Sequence, residues 1–193
     1  GKRYIRYDLN RVAPGKIKTK DYELKRAAEL VSLSKKYKCT IDIHGTNATS
    51  GIFVIISYPK IENIIFALTL PISNIVIWCP KKQKNGPITK FAKCGLEIEC
   101  GPQNSKIVLN KLISILKKII DGQFVLDKVD LKGKRIFQVY GKIYKKKINK
   151  QIVVKDFQEA IVNGEKFFPL LSNQYEDIIC YKMKKINFIS LLS

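Results

Sequence analysis

Apolar residues recur along the first 121 residues with two different periods, which predict alternating strands and helices. In 19–36 they repeat at helical spacing behind Thr19, which can cap the helix. In 39–44 they alternate with polar residues, which predicts a strand with one polar face. The continuous apolar run at 51–58 indicates a strand that is covered on both faces. Further strands are predicted at 74–79 and 96–100, and further helices at 61–68 and 105–120, the last ending at Gly122.

This alternation predicts an α/β fold with a mostly parallel or mixed sheet flanked by helices, and ligands that bind beyond the carboxyl ends of the strands. In the helix at 105–120, residues Val108, Leu109, Leu112, Leu116 and Ile119 are expected to face inward. After Gly122 the pattern changes to short β-rich runs at 124–129, 136–144 and 148–154, with helical spacing only from Tyr175 onward. We therefore predict a catalytic domain at 1–121 and a small β-rich domain at 122–193.

The composition is that of a globular protein with a strong basic bias. The chain has 193 residues, enough for one main core, and 46% of them are hydrophobic. With 36 basic and 16 acidic residues the net charge is +20, and lysines are densest at 142–150. Such a charge attracts anionic partners, so a nucleic-acid-binding protein is one alternative, although no known reading motif is present. A solvated basic face is the simpler interpretation.

Cysteine usage and hydropathy bear on the compartment. The five cysteines form no C-x-x-C pair, and their odd number argues against a secreted disulfide framework. No apolar run approaches the roughly 20 residues that span a bilayer, and no charged and then apolar leader opens the chain. We therefore expect a cytoplasmic protein with no membrane partner.

Candidate chemistry lies in three segments. His44 follows a predicted strand and shares a face with Asp42, a position that suits a metal ligand held by outer-shell hydrogen bonds, although a lone histidine is more often structural. Glu97 and Glu99 also share a face, as a solvated edge or as the place of a general base. Arg11 beside Asn10 can bind a carboxylate with two hydrogen bonds. The simpler alternative is a loop salt bridge from Arg11 to Asp8 or Asp42.

The order of these segments carries a resemblance. The chain contains Arg-Tyr-Ile-x-x-Asp-Leu-Asn-Arg at 3–11, Tyr-Glu-x-x-Arg-Ala at 22–27, Asp-Ile-His at 42–44 and Glu-Cys-Gly-Pro-Gln at 99–103. In this order the motifs resemble the succinylglutamate desuccinylase/aspartoacylase family, over about residues 3 to 120.

The resemblance implies a zinc carboxypeptidase-like fold and a Zn²⁺-dependent amidohydrolase that cleaves small anionic N-acyl amino acids. It implies that His44 is a metal ligand, that Glu99 is the general base and acid, and that Arg3 polarises the scissile carbonyl. It also implies that Asn10 and Arg11 bind the substrate carboxylate and that Tyr175 closes the site.

Three departures from the family pattern matter. The family's first two zinc ligands come from a His-x-x-Glu motif that these 193 residues lack, so we expect it before Gly1. An inactive relative or fragment without these ligands is a further alternative. Glu97 stands where the family usually has a small residue. The position of a substrate-binding arginine of some members is occupied here by Thr89 or Lys90, so the motifs do not define the acyl group or the amino acid. They do not define the oligomeric state either.

Overall fold

The computed structural model describes residues 4–78, 84–122, 131–147 and 152–188. The helices are α1 Leu9–Val12, α2 Tyr22–Ser34, α3 Ile61–Thr69 and α4 Lys106–Ile120, with short 3-10 turns at Ile88–Phe91 and Lys145–Lys147. The strands are β1 Cys39–Gly45, β2 Gly51–Ile56, β3 Asn74–Ile77, β4 Cys94–Gly101, β5 Arg135–Tyr144, β6 Ala160–Val162, β7 Glu165–Leu170 and β8 Ile178–Ile186. None of the helices in these ranges has the length and apolarity to cross a bilayer.

The strands form one mixed sheet in the order β1-β4-β2-β3-β5-β8-β7-β6. β1 runs parallel to β4, and β2, β3 and β5 are parallel neighbours, whereas β2 is antiparallel to β4. From β5 to β6 all pairs are antiparallel. The predicted α/β class with a mixed sheet is therefore confirmed. The β-rich strands continue the sheet through the pairing of β3 with β5, and the domain boundary at 121/122 stays a prediction.

The core lies on both faces of the central strands. Val54 and Ile56 of β2 pack with residues of α3, α4 and β4 in the largest apolar cluster. Phe53 and Ile55 point to the other face and pack with aromatic and aliphatic residues of β5, β7 and β8. Because both faces of β2 are covered, its sequence is a continuous apolar run.

Two details of the helices differ from the sequence expectation. Asp21, rather than Thr19, occupies the N-cap position of α2, without a capping hydrogen bond from its side chain, and the Thr19 hydroxyl accepts a hydrogen bond from the Asp21 amide at 3.2 Å. On α4, Leu109 is 51% exposed although it was expected to face inward. Leu109 lies about 60° around the helix from Leu112, at the margin of the apolar stripe, so the sheet does not reach it. The short helix α1 was not predicted.

The C-terminal part holds the larger corrections. The helical spacing from Tyr175 was misleading, because Ile178–Ile186 forms strand β8, which pairs with β5 over most of its length. That pairing partner lies some 40 residues earlier in the chain and overrides the local pattern. Of the predicted strand at 148–154, residues 152–154 have no regular structure and the rest lies outside the described residues. The predicted strand at 124–129 also lies outside them.

Candidate active site

A cavity of about 680 Å³ opens where β1 and β4 end. Its wall is completed by α1, by residues 85–87 and by the loop at 171–177. All predicted site residues within the described part of the chain line this cavity: Asn10, Arg11, His44, Glu99 and Tyr175. Arg3 lies outside the described residues, so its predicted role stays a prediction.

The register of β1 and β4 explains why polar groups gather here. The two strands are parallel, with Asp42 opposite Glu97 and His44 opposite Glu99. Alternate residues of a strand face the same side, so all four polar side chains lie on one face of the sheet. On the opposite face of β4, Leu96 and Ile98 are fully buried in the core. The cavity is thus lined by the polar face of the β1–β4 pair, and the apolar side chains on the opposite face of β4 pack in the core.

His44 is held by contacts from two elements. Its Nε2 lies 3.0 Å from Asp42 Oδ2 and 3.3 Å from Asn10 Nδ2. The hydrogen bond to Asp42 raises the pKa of His44 above its ordinary value, and the charges of Glu99 and Glu97 add to this against the effect of burial. His44 is therefore oriented from its own strand and from α1.

Helix α1 carries the predicted carboxylate-binding pair. Asp8 caps it by accepting a hydrogen bond from the Asn10 amide at 2.9 Å. A two-way backbone bridge between Ala13 and Gly86, at 3.0 and 3.1 Å, fastens the end of α1 to the segment at 84–87. Arg11 Nη1 donates to the Asn10 carbonyl oxygen at 3.0 Å. The cap and the bridge fix the side of the cavity from which Asn10 and Arg11 reach in.

Glu97 forms a second carboxylate site in the cavity. Its Oε1 accepts hydrogen bonds from Ser57 Oγ at 2.9 Å and from Thr89 Oγ1 at 2.8 Å. Burial raises the pKa of Glu97, and the two hydroxyls oppose that effect. Gly95 allows the backbone of Thr89 to approach β4 this closely, because a Cβ at position 95 would lie 2.1 Å from the Thr89 carbonyl oxygen. The sequence singled out Glu97 and Thr89 separately but did not connect them, and Ser57 was missed.

The loop at 171–177 is fastened to the end of β1. Gln174 Oε1 accepts hydrogen bonds from Thr46 Oγ1 and from the Asn47 amide, both at 2.8 Å. Asp156 holds the start of the loop by accepting from the Leu171 amide at 2.9 Å. These contacts fix the backbone next to Tyr175. Nothing in the local sequence around Gln174 indicated this role, since its partners lie more than 120 residues earlier.

The described residues do not by themselves fit a zinc ion. Among residues 4–78, 84–122, 131–147 and 152–188, no group of three or more His, Cys, Asp or Glu side chains is arranged to hold a metal. His44 offers one ligand, and its Nε2 is engaged by Asp42. A catalytic zinc needs three protein ligands, so this part of the chain offers an incomplete set.

Comparison with known proteins supports the resemblance inferred from the motifs. No family model matches the chain. Two proteins of Prochlorococcus marinus, strains NATL1A and NATL2A, each named probable aspartoacylase, are 28% identical to it over 136 residues. The match covers 63% of this chain but only 44% of each relative, so the chain matches less than half the length of these curated relatives.

Solved structures share the fold over nearly the whole chain. Murine aminoacylase 3 has a TM-score of 0.69 at 19% identity and covers 95% of this chain and 78% of its own. The succinylglutamate desuccinylase of Chromobacterium violaceum has a TM-score of 0.62 at 16% identity, and the match covers 96% of this chain and 69% of the desuccinylase. A succinylglutamate desuccinylase/aspartoacylase of Rhodobacter sphaeroides has a TM-score of 0.66 at 11% identity, and the match covers 96% of this chain and 70% of the Rhodobacter protein.

The fold is therefore the zinc carboxypeptidase-like fold of these deacylases, as predicted. The resemblance to the succinylglutamate desuccinylase/aspartoacylase family is confirmed by the relatives' names and by these structures.

Proposed function

We propose that this protein hydrolyses the amide bond of small N-acyl amino acids in the cavity at the ends of β1 and β4. The observation that carries the proposal is the convergence of Asn10, Arg11, His44, Glu99 and Tyr175 on one cavity from separate parts of the chain. The relatives' names and the shared fold support the same class of reaction.

Substrate binding is assigned to α1. The guanidinium of Arg11 can donate two parallel hydrogen bonds to the substrate carboxylate, which fixes both position and orientation. Asn10 precedes Arg11 on α1 and approaches His44, with its Nδ2 3.3 Å from His44 Nε2. A carboxylate bound by this pair leaves the amide of the substrate on the side of His44 and Glu99. Tyr175 then covers the bound substrate from the loop at 171–177.

Proton transfer is assigned to Glu99. A carboxylate beside the amide can take a proton from the attacking water and return it to the leaving amine. Glu99 sits directly opposite His44 in the strand register and faces the cavity. Arg3 keeps its predicted role of polarising the scissile carbonyl.

Zinc dependence is part of the proposal, with His44 as one ligand. Because the described residues offer an incomplete ligand set, we expect the 193-residue chain to retain zinc weakly after dialysis at neutral pH. Zinc per chain is measured on this chain and on the protein expressed from its complete gene. Stoichiometric zinc on the 193-residue chain would contradict His44 as its single strong ligand, and would indicate ligands outside the predicted set.

The activity is tested on the protein expressed from its complete gene. A panel of N-acyl amino acids that varies the acyl group and the side chain is incubated with zinc-loaded and metal-depleted enzyme, and release of the free amine is followed. We expect release from at least one substrate and its loss on metal depletion. A folded, zinc-loaded protein that releases no amine from any substrate would favour the inactive relative.

A further inference from the structure

The Glu97 carboxylate is an unusual feature for a cavity that takes anionic substrates. It lies in the cavity with its Oε1 held by two hydroxyls, and Thr89, which supplies one of them, is itself only 3% exposed. The hydroxyls are neutral, so they orient the carboxylate without neutralising it. A carboxylate withdrawn from water is costly unless a positive charge accompanies it. A cationic partner would therefore stabilise the ionised form of Glu97.

The described cavity wall supplies few cations for this carboxylate. Arg11 is one, and the proposed function engages it with the substrate carboxylate. His44 is the other when protonated, and it is already bound to Asp42. A positive group carried by the ligand would complete the Glu97 site.

The strand geometry sets how far that group lies from the scissile amide. Glu97 precedes Glu99 by two residues on β4, and both side chains face the cavity. Alternate residues of a strand are about 6.7 Å apart along its axis. Two residues contain six backbone bonds, and an extended carbon chain advances slightly farther per bond than a strand, so this span corresponds to a carbon chain of about five bonds.

We propose that Glu97, held by Ser57 and Thr89, binds an ammonium group of the substrate about five bonds from the scissile amide. This inference rests on the proposed function and names its substrate class. The ammonium group belongs either to the amino-acid side chain or to the acyl group, because both extend from the amide by the required length.

The chain carries its own reporter for this site. Trp78 is the one tryptophan of the sequence, and it lines the same cavity as Glu97. Its fluorescence can follow binding without any turnover. The titrations use the zinc-loaded protein from the complete gene with Glu99→Gln, so that the ligand is not consumed. Amine release by the parent enzyme is measured on the same ligands.

Two ligand pairs distinguish the two sources of the ammonium group. Nα-acetylornithine and N-acetylnorleucine differ only in an ammonium or a methyl at the end of the side chain. N-(5-aminopentanoyl)glycine and N-hexanoylglycine differ in the same way at the end of the acyl group. In one pair we expect the ammonium ligand to bind about tenfold more tightly than its neutral partner, as for one charge-assisted hydrogen bond.

Variants of Glu97 then test the assignment. Glu97→Gln keeps the shape and the hydroxyl contacts, and it should abolish the preference while leaving the neutral ligand within about twofold. Glu97→Asp withdraws the charge by one methylene and should shift the preference toward Nα-acetyllysine, which is one methylene longer. The matched control is Glu159→Gln, which removes an exposed carboxylate paired with Lys166 and should keep the preference.

The outcomes separate this inference from the proposed function. Equal binding of both members of each pair, or a preference that survives Glu97→Gln, would overturn the inference. If the parent enzyme still hydrolyses these ligands, the proposed function stands without it. If no N-acyl amino acid binds or is hydrolysed, both are overturned.

Discussion

Gln174 is predicted to fasten the loop at 171–177 to the end of β1, and Gln174→Ala tests this. The substitution removes the acceptor of both the Thr46 hydroxyl and the Asn47 amide. Thr46 is 2% exposed, so water cannot easily replace the lost partner of its hydroxyl. An unsatisfied buried donor costs about 1–3 kcal/mol, whereas the more exposed Asn47 amide regains a bond to water.

The expected change is large enough to measure. For a chain of this size each kcal/mol lowers Tm by about 2–4 °C, so Gln174→Ala should melt about 2–12 °C below the parent protein. Because Tyr175 is the next residue, KM for an N-acyl amino acid should rise in the same variant. Melting curves by circular dichroism and steady-state kinetics are measured on the same samples.

Two control variants make the test specific. Both contacts use Gln174 Oε1 as an acceptor, so Gln174→Glu keeps them and should retain most of the stability. Gln103→Ala removes an exposed hydrogen bond to Asn47 Oδ1 and should cost less than about 1 kcal/mol. A Gln174→Ala variant that melts within about 1 °C of the parent protein, or a Gln174→Glu variant that loses as much stability as the alanine variant, would show that Gln174 does not fasten the loop.

Three further predictions concern charge, substrate binding and packing. Burial raises the pKa of Glu97, so its proton stabilises the fold at acid pH and this contribution is lost as pH rises through the folded-state pKa. Glu97→Gln should therefore raise Tm at pH 7 and change it little near pH 4, and equal shifts at both would contradict this. Arg11→Ala should chiefly raise KM, because it removes the group that binds the substrate carboxylate. Arg11→Lys should restore KM poorly, since an ammonium cannot make two parallel hydrogen bonds. Unchanged kinetics with a lower Tm in Arg11→Ala would indicate a structural role for Arg11. Gly101→Ala should destabilise the fold by about 1–3 kcal/mol in urea unfolding, because its Cβ would lie 2.2 Å from the Ala48 carbonyl oxygen, and an unchanged midpoint would contradict that contact.

Local periodicity was sufficient where neighbouring residues decide the structure. The continuous run of β2 and the amphipathic pattern of α4 predicted their elements because burial on the sheet imposes those periods. The alternation at Asp42 and His44 predicted that both side chains share a face, and they do contact each other. The position of the cavity also followed, since ligands bind beyond the carboxyl ends of strands.

Contacts between residues that are far apart in the sequence cannot be predicted from local periodicity. The sequence does not show that β4 inserts between β1 and β2, although this register brings Glu99 opposite His44. Ser57 lies 40 residues before Glu97, and Gln174 lies 128 residues after Thr46. Each of these pairs forms only after the sheet is assembled, so no local pattern marks it.

Proton transfer by Glu99 in the cavity can be tested by comparing Glu99→Gln with Glu97→Gln. The measurement is kcat for amine release from N-acetylnorleucine, or from the neutral substrate that the panel favours. We expect Glu99→Gln to lower kcat by about 10²–10⁴-fold with zinc content unchanged, because it removes the general base and acid. Glu97→Gln should stay within about threefold of the parent on a neutral substrate. A larger effect of Glu97→Gln than of Glu99→Gln, or full activity in Glu99→Gln, would show that Glu99 is not the general base and acid.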